Sequence, residues 1–243
     1  MTVTDSPSIA LIGGSFNPPH NGHFRIGIEV YEALSPQRVE FIPSANPPHK
    51  HSPWLLPLPM RVQMLEQACS GLDFLQVNPL EGERDGPSFT RDILLECARH
   101  NPGYSLYFVL GAEIFSRFLR WKDWDKIPEI ANILVVSREG MGEGVFCSLV
   151  QQFWPEAVQE HGSADTHGAA GSRCTFLLPC KKHITFLPVT RMDSSSSQIR
   201  EAWLQGKAID FLCPESVVSF LDDHRECIRT HWALAKNGVK YSR

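Results

Sequence analysis

Gly13-Gly14-Ser15-Phe16-Asn17-Pro18-Pro19-His20-Asn21-Gly22-His23 follows the apolar run Ile9-Ala10-Leu11-Ile12 and precedes a stretch of amphipathic periodicity. A strand, a glycine turn and a helix start therefore stand back to back. Gly13 and Gly14 permit a tight turn and let the backbone approach a ligand closely. A helix beginning near His20 aims N–H groups and a positive dipole end at the same point. The combination reads as a phosphate site. His20 and His23 are three residues apart and share a helix face, so both imidazoles can donate to phosphate oxygens, with Gly22 leaving room between them. Zinc is not assigned to this pair, because no third ligand lies nearby and the metalloprotease spacing is His-x-x-x-His. The dinucleotide fingerprint Gly-x-Gly-x-x-Gly is absent, and no acidic residue closes a following strand.

With 243 residues, 42% of them apolar, the chain can bury a substantial core, which fits one α/β domain over 1–243. A net charge of −4, with basic residues scattered until the tail, leaves no footprint for nucleic acid, and none is expected as a partner. No apolar segment approaches the ~20 residues needed to cross a bilayer, and the first residues carry no basic leader. A cytoplasmic protein without membrane contact is the expectation. Seven cysteines without Cys-x-x-Cys spacing read as reduced thiols. Cys174, Cys180 and His183, with His161 and His167, form the one cluster to weigh as a metal site, and its spacing matches no familiar zinc pattern.

Outward from the glycine turn, a helix is predicted from His20 to about Leu34 and a strand over Arg38–Ile42. Pro47-Pro48-His49-Lys50 then lies in a proline-rich connection after a strand, where ligands gather in open parallel sheets, so Lys50 is a candidate phosphate or acceptor contact. A helix over Met60–Cys69 and a strand over Phe74–Val77 follow. Next come a polar loop running into a helix from Thr90, with Ser88 as its cap, and a buried strand over Tyr104–Leu110 ending in Gly111-Ala112-Glu113. Ile114–Leu119 is read as helix, Trp121 and Trp124 as an aromatic pair near the ligand crevice, and Ile133–Val136 as strand. Residues 139–183 are the expected surface insertion, with a helix over Val145–Val158, and Ile184–Leu187 restores the fold as a strand. Strands separated by helices predict a parallel, doubly wound, Rossmann-like sheet with helices on both faces.

Ser194-Ser195-Ser196-Ser197-Gln198-Ile199-Arg200 opens the helical C-terminal part, from about residue 195. Ser195 and Gln198 have the spacing of a capping box, Gly206 stands at the stop position, and Arg200 adds a guanidinium fork about one turn on. Hydroxyls, helix N–H groups and an arginine at one point make a second phosphate element. The basic tail from Arg225 is left as either an interface helix or a frayed end.

The first stretch resembles the Gly-x-Phe-x-Pro-x-His-x-Gly-His signature of the nucleotidylyltransferase superfamily. Nearly the whole chain is similar, in order, to the bacterial nicotinate-nucleotide adenylyltransferases. The likeness rests on residues 14–23, Pro-Pro-His-Lys at 47–50, Ser-Phe-Thr at 88–90, Gly-Ala-Glu at 111–113 with Trp121 beyond, the serine segment with Arg200, and Phe211-Leu212-Cys213-Pro214-Glu215-Ser216-Val217. The resemblance implies that His20, His23, Ser195, Ser197 and Arg200 hold the ATP phosphates, that Gly14, Ser15 and Phe16 line the phosphate turn, and that Gly111 and Glu113 meet the ribose. It puts Asn17 and Lys50 near the mononucleotide phosphate, Ser88, Phe89 and Thr90 on the nicotinate carboxylate, Trp121 on the pyridine ring and Arg138 near the nucleotide. Asn17 stands where the family usually has Asp, Glu113 where Asp is usual, and Ser194 where Ile is usual.

The implied reaction joins nicotinate mononucleotide to ATP, releases pyrophosphate, and uses Mg²⁺ carried by ATP, with no metal held by the protein itself. Nicotinamide-mononucleotide or pantetheine-phosphate adenylyl transfer would use the same clamp, and a non-catalytic nucleotide-sensing module is the alternative from another class. Aminoacyl-tRNA synthetases share a His-x-Gly-His element, but their Lys-Met-Ser-Lys-Ser loop is missing here. The oligomeric state is left open, a homo-oligomer included.

Overall fold

The computed structural model describes residues 7–45, 54–83, 86, 88–137, 141–160 and 174–233. Lys50, Arg138, His161 and His167 lie outside the described residues. Strand β1 (Ser8–Gly14) leads to α1 (Asn21–Leu34), β2 (Arg38–Pro43), α2 (Leu58–Cys69), β3 (Leu75–Val77), α3 (Thr90–His100) and β4 (Ser105–Gly111). The short α4 (Ala112–Phe115) and α5 (Ile127–Ile130), β5 (Asn132–Ser137), α6 (Glu143–Phe153), β6 (Val158–Glu160), β7 (Thr175–Leu177) and β8 (His183–Pro188) follow. Helices α7 (Ser196–Leu204), α8 (Glu215–Asp223) and α9 (Arg225–Ala233) complete the described chain. No helix among the described residues is long and apolar enough to cross a membrane.

The eight strands form one sheet in the order β3-β2-β1-β4-β5-β8-β7-β6. Its centre is parallel, with Leu11 opposite Phe108, Val109 opposite Leu134 and Val135 opposite Phe186. All six residues of β5 are buried, as a strand covered on both faces requires, and this explains its unbroken apolar run. The sheet is the expected α/β, Rossmann-like one with a single correction. At one edge β6 and β7 pair antiparallel, as do β7 and β8, because no helical crossover separates the last two. The connections after β1 and β4 depart to opposite sides, making the switch point at which such sheets receive ligands.

Two compact units are distinguishable. The first comprises Met1–Ile12, Ile26–Glu40 and Phe89–Arg191, and it contains most of the parallel strands. Phe115, Phe118 and Phe146 are fully buried in it, and Trp124 lies among Phe118, Phe153 and Trp154 at 5.6–6.2 Å between ring centroids. Trp124, read from the sequence as one of an aromatic pair near the ligand crevice, is therefore a packing residue. The expected helix over Ile114–Leu119 is instead one α turn and a separate 3-10 turn over Phe118–Arg120. The helix expected over Val145–Val158 ends at Phe153, and Val158 opens β6.

The second unit comprises Gly13–Arg25, Phe41–Ser88 and Met192–Arg243. In one apolar cluster of this unit Leu56 and Met64 pack with Ile199, Trp203, Ile209, Cys213, Val217, Phe220, Leu221, Ile228 and Trp232. The rings of Trp203 and Trp232 meet edge to face at 5.2 Å, so α9 is packed down through Ile228 and Trp232 and is not a frayed end. Helix α7 is bounded as its sequence demands. Ser195 Oγ accepts the Gln198 N–H, while Gly206, at φ 72°, and Lys207 donate their N–H groups to the Trp203 and Ala202 carbonyls in a Schellman ending.

Burial pushes the Cys213 thiol from 9.0 up to about 12 and the Cys69 thiol up to about 11. The folded chain keeps protons that the unfolded chain surrenders above pH 9.0, so stability is full below that value and falls as pH rises toward about 12. Cys213→Ala removes one such group. Between about pH 8 and about pH 10.5 its unfolding free energy is expected to fall by about 1–2 kcal/mol less than that of the parent chain. Urea titrations at both pH values measure this, and parallel declines would contradict it.

Candidate active site

The turn after β1 is strained at one residue. Gly13 and Gly14 are not in the left-handed region; Phe16 is, at φ 45°, which costs a non-glycine residue about 1–2 kcal/mol. Its ring repays that cost by packing. Phe16 is buried, with edge contacts to His23 at 4.9 Å and Phe41 at 5.6 Å, and a Cβ added to Gly14 would come within 2.9 Å of Phe16 Cζ. Gly14 is thus required by its neighbour's ring and not, as the sequence suggested, by its own backbone angle. The Asn17–Pro18 peptide is cis.

A buried arginine holds this turn. Arg61, on α2 and 1% exposed, donates from Nη1 to the Ser15 carbonyl and from Nε to the Leu56 carbonyl, each at 2.8 Å. Burial lowers its pKa to about 10, and the nearby Glu81 carboxylate partly offsets that. It remains a cation at neutral pH. The Asn17 side chain adds two bonds, donating to the Trp54 carbonyl and accepting the Leu56 N–H, both at 3.1 Å. An aspartate there could accept but not donate, so the Asn-for-Asp departure matches the backbone it serves.

The two phosphate elements meet. Arg200 Nη1 donates to the Asn17 carbonyl at 2.6 Å, Ser196 Oγ donates to the Pro18 carbonyl at 2.8 Å, and Ser194 Oγ and His20 Nδ1 are hydrogen-bonded at 3.2 Å. Arg200 Nη2 also donates to Ser197 Oγ at 3.1 Å, and Ser195 Oγ donates to Gln198 Oε1 at 2.9 Å. The imidazoles of His20 and His23 face each other with centroids 3.7 Å apart. His23 Nδ1 accepts the His20 backbone N–H at 3.1 Å, so its neutral ring carries the proton on Nε2. That tautomer can donate to an anion. The Asn21 N–H at the start of α1 donates to the Leu212 carbonyl at 2.9 Å, while Asn21 Nδ2 donates to the Phe211 carbonyl.

Of the other candidates, Gly111 ends β4 with open space where a Cβ would stand, and Glu113 is exposed in the first turn of α4. Phe89 caps α3 by backbone alone, and Thr90 is its first residue. Ser88 is not the cap that its type suggested; its hydroxyl is buried and has no hydrogen-bond partner among the described residues, a cost of about 1–3 kcal/mol unless a ligand supplies one. Trp121 is half-buried beside Phe108 and Phe118, and Lys122 Nζ lies 4.1 Å from the centre of the Phe89 ring. Sequence reasoning missed Arg61 and Lys122, and gave Ser196 no role of its own. Arg61 left a trace as a basic residue within an otherwise core-facing helical pattern, while Lys122 left none.

The sequence model of the cytidylyltransferase-like family matches residues 11–202. A protein of Maridesulfovibrio salexigens named "probable nicotinate-nucleotide adenylyltransferase" is 30% identical over 224 residues, covering 92% of this chain and 99% of its own. One of the same name from Marinomonas is 32% identical over 233 residues, covering 93% and 99%. Among solved structures, the Plasmodium falciparum nicotinic acid mononucleotide adenylyltransferase complexed with NaAD superposes with a TM-score of 0.67 at 14% identity, over 90% of this chain and 96% of that one, a likeness of fold. The chain belongs to the cytidylyltransferase-like family and, within it, to the bacterial nicotinate-nucleotide adenylyltransferases.

Proposed function

We propose that this protein condenses nicotinate mononucleotide with ATP, forming nicotinate adenine dinucleotide and pyrophosphate in NAD biosynthesis. One observation supports the reading above the rest: the hydroxyls of Ser194 and Ser196 and the guanidinium of Arg200 are hydrogen-bonded to His20, Pro18 and Asn17, gathering donors from both ends of the chain around one turn. That is a cradle for a polyphosphate. In the proposed reaction an oxygen of the mononucleotide 5′-phosphate forms a bond to the α-phosphorus of ATP. The bond from that phosphorus to the bridging oxygen breaks, and pyrophosphate leaves with the electron pair. The nucleophile is already anionic, so no general base is required, and catalysis consists of alignment and stabilisation of charge.

In this reading His20, His23, Ser195, Ser197 and Arg200 bind the triphosphate, with Gly14, Ser15 and Phe16 lining the turn that Arg61 and Asn17 hold in place. A divalent cation, assigned as Mg²⁺, arrives on the ATP oxygens as part of the substrate. Gly111 and Glu113 are assigned to the ribose, and Trp121 to the pyridinium, whose positive ring suits an indole face. Lys50 is assigned to the reacting phosphates and Arg138 to the nucleotide. Ser88, Phe89 and Thr90 are assigned to the carboxylate. The unpartnered Ser88 hydroxyl and the N–H groups opening α3 favour an anion over a neutral amide there.

Nicotinate mononucleotide should therefore be preferred over nicotinamide mononucleotide by at least about fivefold in kcat/KM, since a hydrogen bond to a charged group is worth roughly 1 kcal/mol more than a neutral one. A pyrophosphate-release assay with each mononucleotide decides it, and equal or reversed preference refutes the assignment. Phosphopantetheine should be inert in the same assay, and absence of turnover with every acceptor would favour a nucleotide sensor.

His23→Ala should lower kcat by about 10²–10³ while ATP still binds weakly by calorimetry, the loss typical of removing one donor to developing charge. Retained turnover removes His23 from the mechanism. For Ser88→Ala the expectation is split: KM for nicotinate mononucleotide rises about tenfold, but the melting temperature holds or increases, because an unsatisfied buried hydroxyl is gone. An unchanged KM counts against the carboxylate subsite.

A further inference from the structure

Glu143 and Cys147 lie four residues apart at the start of α6, on one helix face, and Cys174 immediately precedes β7. The Sγ atoms of Cys147 and Cys174 are 3.1 Å apart, and a Glu143 carboxylate oxygen joins them so that all three atoms lie within 4.8 Å of one another. Gln159, on the neighbouring strand β6, donates from Nε2 to Cys174 Sγ at 3.4 Å. Burial is graded across the group: Glu143 is exposed, Cys147 half-buried and Cys174 buried. None of these residues has a place in the reaction proposed above. The cluster also differs from the one the sequence suggested. Cys180 Sγ instead points to the Pro128 carbonyl, His183 pairs with Glu160, and two sequence-distant groups take their places beside Cys174.

We propose that Glu143, Cys147 and Cys174 bind one thiophilic divalent cation of the zinc class, with solvent completing the coordination, and that the cation ties α6 to the start of β7. Two thiolates and a carboxylate are a donor set such a cation takes, with metal–sulfur distances of about 2.3 Å and metal–oxygen distances of about 2.0–2.2 Å. Two sulfurs on one tetrahedral ion stand about 3.8 Å apart. The pair observed at 3.1 Å needs a small opening, which falls to Cys147, the half-buried member of the pair.

A disulfide would instead require closure to about 2.05 Å, and it would account for the two sulfurs while leaving the carboxylate without a reason to converge on them. The cation accounts for all three donors. It also accounts for Gln159, an N–H donor to a ligand sulfur of the kind that orients ligands and moderates their charge. Binding exchanges two thiol protons for the metal and changes no oxidation state.

The test is an anaerobic titration of the full chain, stripped with a chelator, using Co²⁺ as the probe. One equivalent should produce thiolate-to-cobalt charge-transfer absorption and d–d bands of tetrahedral strength, and Zn²⁺ should bleach them. The Cys147→Ser/Cys174→Ser double variant should lose the charge-transfer band. Glu143→Gln, an exposed change that leaves folding intact, should weaken Co²⁺ binding by about tenfold or more. The proposal is overturned by an unchanged spectrum in the double variant, by undiminished affinity in Glu143→Gln, or by a parent chain that shows no charge-transfer band. It is equally overturned if the parent takes up no Co²⁺ but loses two thiols to hydrogen peroxide, with Cys147 and Cys174 joined in the peptide map. That result would make the pair a disulfide switch.

Discussion

The bond from Arg200 to the Asn17 carbonyl spans 183 positions of sequence, and the arrangement of the groups proposed to bind phosphate depends on it. A glycine-rich turn by itself is a mobile loop, and a serine-rich helix start by itself is a cap. Joined, each limits the other. The guanidinium fixes the carbonyl side of the turn, the Ser196 hydroxyl fixes the next carbonyl, and Ser194 engages one nitrogen of His20. Closing so long a loop carries an entropic cost, which the apolar cluster linking α2 to α7, α8 and α9 offsets. The hydrophobic core of the second unit thereby sets the alignment of its polar donors.

The polar groups around the turn serve two ends. The donors proposed for phosphate oxygens are the imidazoles of His20 and His23 and the guanidinium of Arg200, whereas Arg61 is enclosed and directs its donors to carbonyl oxygens. A buried cation of this kind is costly, and the depressed pKa of Arg61 reflects that cost. What it brings is rigidity beneath a backbone that carries a left-handed phenylalanine. For in-line phosphoryl chemistry, where little covalent work falls to the protein, rigid alignment is most of what a site can contribute.

Much of this was legible in the chain because it is written locally. The unbroken apolar run of β5, the capping pair Ser195 and Gln198, the stop at Gly206 and the strand–turn–helix around Gly14 each follow from neighbours in sequence. What stayed hidden depends on residues that meet only in three dimensions. Arg61 looks like any helix arginine until the Ser15 carbonyl lies opposite it, and the left-handed angle of Phe16 is invisible beside two glycines that seemed to explain the turn. Nothing near Asn21 in sequence announces that its N–H donates to the Leu212 carbonyl. Cys147 and Cys174 are 27 residues apart, beyond any ligand-spacing rule. The antiparallel strand edge was missed for the same reason, since three-residue strands carry too little periodicity to be read.

The contact between Phe16 and Gly14 has an evolutionary corollary. Because a methyl group at position 14 would meet the far end of the Phe16 ring, and the ring is what compensates for the left-handed backbone at its own position, neither residue can change alone without loss. A route to a larger residue at position 14 must pass through a smaller one at 16, and that intermediate gives up the contacts with His23 and Phe41. The two positions should therefore behave as a single epistatic unit, and a library that randomises them separately will miss any combination that works.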